Sequence, residues 1–123
     1  MRDVRATGRA GRMGDLGFAA QLAEDLSEED LRLVLAVFRT DVQRLTATMA
    51  GAATAEDGGA FRRAAHGLAG AAGAVGAAGL EAACRAAMVG GGPLAGLLAE
   101  IRTLADAALG DVARVLARLD GHA

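Results

Sequence analysis

The chain has 123 residues, a length typical of one domain that buries its own core. Hydrophobic residues make up 53% of it but aromatic residues only 2%, so the core must consist mainly of leucine, valine and alanine. Alanine is the strongest helix former, and the composition therefore favours an all-α fold. The 13 basic and 15 acidic residues give a formal charge of −2, which argues against a general nucleic-acid binder with its basic excess.

Cysteine usage and hydropathy narrow the class of protein further. Cys84 is the single cysteine, so no disulfide can form within the chain, and a reducing cytoplasm is the expected compartment. Its expected role is that of a small buried hydrophobic residue on a helix. No apolar run approaches the ~20 residues needed to cross a bilayer, and we expect no membrane association.

The first 14 residues carry four arginines and three glycines without apolar periodicity. We expect a flexible tail at residues 1–14 and one folded domain at residues 15–120. Met13 is an alternative start of the protein. An arginine-rich, acid-poor leader also resembles a transit peptide, an interpretation that the bacterial character of the remaining sequence disfavours.

Two helices are expected in the first half of the chain. A short one runs from Asp15 to about Leu26. Ser27, followed by three acidic residues, is typical of a helix N-cap and predicts the start of a second, longer helix. Its apolar residues recur at spacings of four and three, which is the pattern of a buried stripe. This stripe consists of Leu31, Leu35, Phe38, Val42, Leu45 and Met49.

In the second half of the chain, glycines mark the expected ends of helices. Gly51 and the segment through residues 58–59 are expected to end the second helix, and a third helix begins at about Thr54 or Gly59 and runs toward Val75. A fourth starts near Ala77, and residues 90–93, three glycines and a proline, predict a loop before the last helix. The connections are short, so the expected fold is an antiparallel, up-down four-helix bundle with the short first helix lying across one end.

His66 is the residue most suited to chemistry. The second histidine, His122, lies next to the C-terminus, where a tail is expected. His66 lies in mid-helix and is turned away from the apolar face, so its imidazole should reach solvent. A neutral exposed imidazole is a nucleophile near neutral pH, and a phosphoryl group on it would lie near Arg62 and Arg63. From these residues alone, a solvated helix face without function is the more common explanation.

The glycines around His66 are unusual for a helix. Gly67, Gly70, Gly73 and Gly76 fall within ten positions of it, and each glycine inside a helix costs about 0.8–1.0 kcal/mol relative to alanine. Helix propensity does not explain them. A gain in access does, because the backbone and acidic side chains of a partner protein can approach a ring nitrogen where no side chains intervene.

The segment from Ala65 to Leu80 resembles the signature of histidine-containing phosphotransfer (HPt) domains. In that family an Ala-His pair precedes an apolar residue, a Lys-Gly pair, a stretch of small residues, a glycine and a leucine. The matching positions here are Ala65, His66, Leu68, Gly70, Gly73, Gly76 and Leu80. The helix order extends the resemblance loosely over residues 16–119.

The resemblance implies specific roles. His66 would be the phosphoacceptor, and Gly67, Ala69 and Gly70 the small residues that allow close approach. The family's lysine, three residues after the histidine, is Ala69 here, so another cation would have to steady the phosphoryl group, with Arg62, Arg63 and Arg85 as candidates. The family docks its partners on an apolar patch, for which Phe18 and Leu22 are the candidates here. Closing the end of the core is an equally good role for these two.

Partners and cofactors follow from the same resemblance. The chain would be a phosphoryl carrier without a nucleotide site of its own, and the sequence shows no phosphate-binding loop. The partners would be receiver domains of response regulators, a hybrid sensor histidine kinase, or both. Mg²⁺ would be needed only in the receiver. We expect no cofactor or metal in this chain, no nucleic-acid partner, and a monomer.

Two other functions stay open. A degenerate HPt-like domain would bind receivers or kinases without being phosphorylated, an interpretation favoured by Ala69. A plain helical interaction or dimerisation module would leave His66 without any role. An enzyme is the weakest option, because no recognisable catalytic or metal-binding pattern includes Glu81, Glu100 or Cys84.

Overall fold

The computed structural model describes residues 14–121, which form five α-helices and no strand. The helices are α1 (Gly14–Asp25), α2 (Glu28–Thr54), α3 (Gly58–Val75), α4 (Ala78–Val89) and α5 (Leu94–Gly121). The predicted all-α bundle with a short additional N-terminal helix is confirmed. Residues 1–13 of the predicted tail, including Met13, and His122 lie outside the described residues.

Side-chain caps start two of the helices, and a glycine ends one of them. The Ser27 hydroxyl accepts a hydrogen bond from the Asp30 backbone N–H at 3.1 Å and starts α2. The Asp57 carboxylate accepts one from the Ala60 N–H at 3.0 Å and starts α3. Each cap satisfies an N–H group that has no partner within the helix. Gly76 ends α3 with φ of 87°, a left-handed conformation that glycine adopts without strain.

The prediction that Gly51 ends the second helix was wrong. α2 continues through Gly51 to Thr54, and the turn follows at residues 55–57. Met49 and Ala52 are buried on either side of this glycine, so the last turn of α2 is held by packing. A single helical glycine costs about 1 kcal/mol, which such burial offsets.

Helices α2 to α5 form a closed ring of contacts. α2 packs against α3 and α5, and α4 packs against the same two helices. Short connections join α2 to α3 and α3 to α4, so neighbouring helices run in opposite directions. The core consists of aliphatic side chains, alanines and three phenylalanines, and its largest fully buried members are Phe38, Phe61, Leu31, Leu35, Met49, Leu68, Leu80 and Ile101.

α1 lies mainly against α5 and is joined to the bundle by two buried contacts. The Phe18 ring meets the Phe38 ring of α2 edge to face, with 5.3 Å between ring centroids. The buried Asp111 carboxylate of α5 accepts a hydrogen bond from the backbone of α1. Across residues 14–121, no helix is both long and apolar enough to span a membrane.

Candidate functional site

His66 lies in the middle of α3 on the face that points away from the core. Phe61, Ala65 and Leu68 anchor the inner face of this helix and are fully buried, whereas His66 is exposed. Within residues 14–121, no hydrogen bond or ion pair engages the imidazole. Both ring nitrogens are therefore open to a partner from solvent, as the helical spacing predicts.

The outward face beside His66 lacks side chains. Gly70 and Gly73 follow His66 by four and seven residues and lie on the same side of α3, since two helical turns span 7.2 residues. A Cβ atom at Gly70 would meet nothing within 4 Å. The face is thus open because its positions carry no side chain, and close packing does not require glycine at position 70.

Gly67 marks the border of the site with α2. A Cβ atom there would lie 3.5 Å from both methyl groups of Leu45, an ordinary van der Waals contact. Gly67 is itself exposed, so it contributes bare backbone next to His66. α2 therefore borders the Gly67 edge of the site, and α4 borders the opposite edge.

The structure places Ala69 differently from the prediction. Ala69 is 1% exposed and points into the bundle, so it does not contribute to the open surface beside His66. It lies three residues after His66, which turns it about 60° back toward the apolar face. A lysine at this position would have to direct its stem out of the core to reach solvent.

Arg62 and Arg63 point away from His66. Their guanidinium groups lie over the first turn of α3, where Arg62 Nη1 is 3.2 Å from the Cβ position of Gly58 and Arg63 Nη1 is 3.4 Å from that of Gly59. Helical side chains lean toward the N-terminus, so residues that precede His66 lean away from it. Both arginines lie one turn before His66, and the His66 side chain leans in the same direction, so the two stay candidates for the phosphoryl group.

Arg85 lies on α4 and forms an ion pair with Glu81. Its Nη2 and Nε atoms donate to Glu81 Oε2 at 2.8 and 3.0 Å. The Glu81 carboxylate in turn lies against α3, with Oε2 only 2.9 Å from the Cβ position of Gly73. The pair therefore sits at the edge of the same bare face on which His66 lies.

The two predicted docking residues differ in exposure. Phe18 is 3% exposed and packs on Phe38, which agrees with the role of closing the core and leaves no surface for a partner. Leu22 is partly buried and packs against the same core. Docking through Leu22 stays a prediction, whereas Phe18 holds α1 against the core.

Exposed apolar side chains that were not predicted lie on α2. Leu33 is 65% exposed and Val37 53% exposed, and together with Ala71 and Ala74 of α3 they border a shallow groove. Both lie outside the buried stripe of α2. This surplus of large apolar residues beyond the stripe is the sequence signal that could have identified the patch.

In the described part of the chain, residues that could bind a metal ion do not form a cluster. Among residues 14–121, no three histidine, cysteine or acidic side chains lie close enough together to hold a metal ion. Cys84 is fully buried, and burial raises the pKa of its thiol to about 11. At neutral pH this thiol is protonated and is a poor nucleophile.

Comparison with known proteins gives one family. The model of the Hpt domain family matches residues 33–122, which include His66, the whole of α3, α4 and α5, and most of α2. No curated protein matches the chain, and no solved structure matches it.

Proposed function

Since the chain belongs to the Hpt domain family, whose members are phosphotransfer modules of two-component signalling, we propose that His66 is its phosphoacceptor. The observation that carries this proposal is the exposed imidazole without a partner, on a helix face that two glycines leave open. The other histidine of the sequence lies outside the α3 motif. A receiver domain or a hybrid sensor kinase would donate the phosphoryl group, and a second receiver would accept it.

The transfer step is a displacement at phosphorus. The lone pair of a ring nitrogen of His66 forms the N–P bond, and the P–O bond to the donor aspartate breaks, leaving that aspartate as a carboxylate. The proton on the other ring nitrogen then passes to water. Receiver groups and the receiver's Mg²⁺ would neutralise the phosphoryl charge in transit, and α3 supplies a nucleophile held in position.

We propose that the receiver approaches over the open face and rests on the α2 side of the site. The bare surface of α3 continues from Gly67 through Ala71 and Ala74 into the groove bordered by Leu33 and Val37. This continuity between the acceptor and the most exposed apolar residues of α2 supports a receiver as the occupant. In this proposal the chain works as a cytoplasmic monomer and is a carrier, not an enzyme.

A second function is favoured by one observation. Neither Ala69 nor the two arginines that precede His66 places a cation over the imidazole. A degenerate module would bind receivers or kinases through the same surface without accepting phosphate. The two proposals differ in whether His66 is ever phosphorylated.

Transfer of radiolabelled phosphate from a panel of phosphorylated receivers and hybrid kinases tests the proposal. We expect acid-labile, alkali-stable label on the wild type and on His122→Gln, and none on His66→Gln. Binding of a receiver without any label on the wild type would favour the degenerate module. Label that persists on His66→Gln would contradict the assignment of the acceptor.

A further inference from the structure

We propose that a second copy of this chain docks on the outer face of α2, with the two α2 helices packed antiparallel about a two-fold axis. The association itself does not depend on the proposed function. Its consequence rests on that function, because the two copies would cover the surface on which a receiver is proposed to rest. Self-association would then compete with receiver binding, and the monomer would be the form that exchanges phosphate.

The face of α2 that points away from the core carries few charges. It lies opposite the buried stripe of this helix and consists of six residues, which we call the outer stripe: Glu29, Leu33, Ala36, Val37, Thr40 and Arg44. In residues 17–121, Leu33 and Val37 are two of the three large apolar side chains that are mostly exposed. A helix face in water is ordinarily polar, so this exposed apolar surface favours a partner that buries it.

The outer stripe is complementary to itself in charge. It begins with the acid Glu29 and ends with the base Arg44, and its other four residues are uncharged. When two identical helices lie antiparallel, Glu29 of each copy meets Arg44 of the other, and the two ion pairs are related by the two-fold axis. A parallel pair would bring equal charges together at both ends, which disfavours that arrangement.

The shape of the outer stripe fits the same register. A shallow depression on α2 is lined by Ala36, Val37, Thr40 and Asp41. Leu33 follows Glu29 by four residues, and Arg44 follows Thr40 by four residues. The register that joins the charges therefore also seats Leu33 of each copy over the depression of the other. Side chains of both helices lean alike toward their own N-termini, so the match in spacing is independent of this lean.

The two-fold axis falls between Ala36 and Val37, midway between the two charged ends. Val37 borders the groove with α3, and Ala36 lies about 100° around the helix, on the opposite side of the outer stripe. Each of these residues would thus lie next to its own equivalent in the second copy. The distance between packed helices depends on the side chains at the contact, and alanine permits a close approach. Such an isologous contact closes at two copies.

The charges of the outer stripe are available for this contact. Glu29 is exposed and takes part in no ion pair or side-chain hydrogen bond within residues 14–121, whereas the adjacent Glu28 is bound by Arg32 at 3.0 Å. Arg44 is 62% exposed, with 3.4 Å between its Nη2 and Oδ1 of Asp41. This distance is long for a charge-assisted hydrogen bond, so Arg44 has donors left for Glu29 of the second copy.

The small size of the outer stripe indicates a weak dimer. Stable interfaces use roughly 20–30 residues on each side, many more than this single helix face offers. We expect reversible association with a Kd on the order of 10–100 µM. A receiver that binds Leu33 and Val37 would shift this equilibrium toward the monomer by mass action.

Sedimentation equilibrium of the full chain, without any receiver, measures the association. Glu29→Arg and Arg44→Glu should each raise the Kd about ten-fold or more, because each change brings like charges together twice. The double variant should return the Kd to within about three-fold of wild type, since both ion pairs form again with reversed polarity. Glu100→Arg makes the same change of charge at an exposed position of α5 and should leave the Kd unchanged.

Cysteine cross-linking tests the register. In a Cys84→Ala background, Ala36→Cys places two thiols next to the two-fold axis and should give a covalent dimer on mild oxidation. Leu33→Cys is the control. Its two copies would lie about 10 Å apart along the helix axis, beyond the roughly 7 Å between Cα atoms that a disulfide can bridge.

Three results would overturn the inference: a chain that stays monomeric up to about 1 mM, a dimer that neither charge reversal weakens, or equal cross-linking of the two cysteine variants. A receiver that binds the dimer as tightly as the monomer would overturn the competition. Dimerisation with the expected charge dependence, together with failure of every receiver to bind or phosphorylate the chain, would instead contradict the proposed function alone.

Discussion

The Asp111 carboxylate accepts a hydrogen bond from the backbone N–H of Ala19 at 3.0 Å, although the two residues are 92 positions apart. Asp111 is 4% exposed and is the only charged side chain buried in residues 17–121. Arg114 lies one turn further along α5, with 3.7 Å between its Nη2 and Asp111 Oδ1. A buried charge with one strong acceptor contact thus ties the first helix to the last.

Removal of this carboxylate should destabilise the bundle. Asp111→Ala leaves the buried Ala19 N–H without an acceptor, which costs about 1–3 kcal/mol. Urea unfolding followed by circular dichroism measures this loss. Asp106→Ala, an exposed aspartate on the same helix, should change the free energy of unfolding by less than about 0.5 kcal/mol. Equal stability of the Asp111→Ala and Asp106→Ala variants would show that the buried bond contributes nothing.

Gly70→Ala should raise the stability of the bundle and slow phosphoryl transfer to His66. Alanine at this exposed helical position meets nothing within 4 Å, so we expect the free energy of unfolding to rise by up to about 1 kcal/mol. The added methyl group lies one turn from His66 and should slow transfer from a receiver about ten-fold or more, because small displacements of reacting groups are costly.

Gly51→Ala is the control for this pair of effects. Gly51 is likewise helical, exposed and free of neighbours within 4 Å, but it lies on α2 near the end of that helix. It should give a similar gain in stability with an unchanged transfer rate. If Gly70→Ala transfers phosphate as fast as wild type, the idea that glycine provides access is wrong.

A charge in the α2 groove should weaken receiver binding. Val37→Asp places a carboxylate on an exposed apolar side chain, so the fold should tolerate it while the Kd for a receiver rises about ten-fold or more. Isothermal titration calorimetry with an unphosphorylated receiver measures this. Val89→Asp changes an exposed valine of α4, on the other side of α3, and should have little effect. Weaker binding from Val89→Asp alone would place the receiver on the α4 side.

Cys84 should make stability fall at alkaline pH. Burial raises the pKa of its thiol from the ordinary value of 9.0 to about 11. The unfolded chain therefore ionises this thiol first, and the stabilising difference, complete below pH 9, is lost as pH rises toward 11. Urea midpoints between pH 8 and about 11 should decline more steeply for wild type than for Cys84→Ala. Parallel declines would show that Cys84 does not contribute.

Helical periodicity predicts the number, order and exposed faces of the helices, because a buried stripe repeats along each of them. It also predicts that His66 is exposed. It does not tell where charged groups end up along the helix axis, and the structure places the Arg62 and Arg63 guanidinium groups over Gly58 and Gly59. Ala69 is buried because it lies about 60° around the helix from His66. A run of alanines and glycines has too little hydrophobic contrast to reveal so small a rotation.

Long-range partners are not encoded in local patterns either. Asp111 resembles any polar residue at the edge of the α5 stripe, and its burial depends on where α1 crosses the bundle. The register of α4 on α3 likewise comes from a short turn and from the space that Gly73 leaves for Glu81. Both relationships require the packed helices.

The edge-to-face pair of Phe18 and Phe38 has an optical consequence. Phenylalanine is the sole aromatic residue type of the sequence, so the chain has almost no absorbance at 280 nm and no tryptophan fluorescence. In a mixture with a receiver, nearly all absorbance at 280 nm and all tryptophan or tyrosine emission would belong to the receiver. Changes in a receiver's own tryptophan or tyrosine emission could then be followed during transfer without background, and a single Phe18→Trp substitution would add a reporter for the docking of α1.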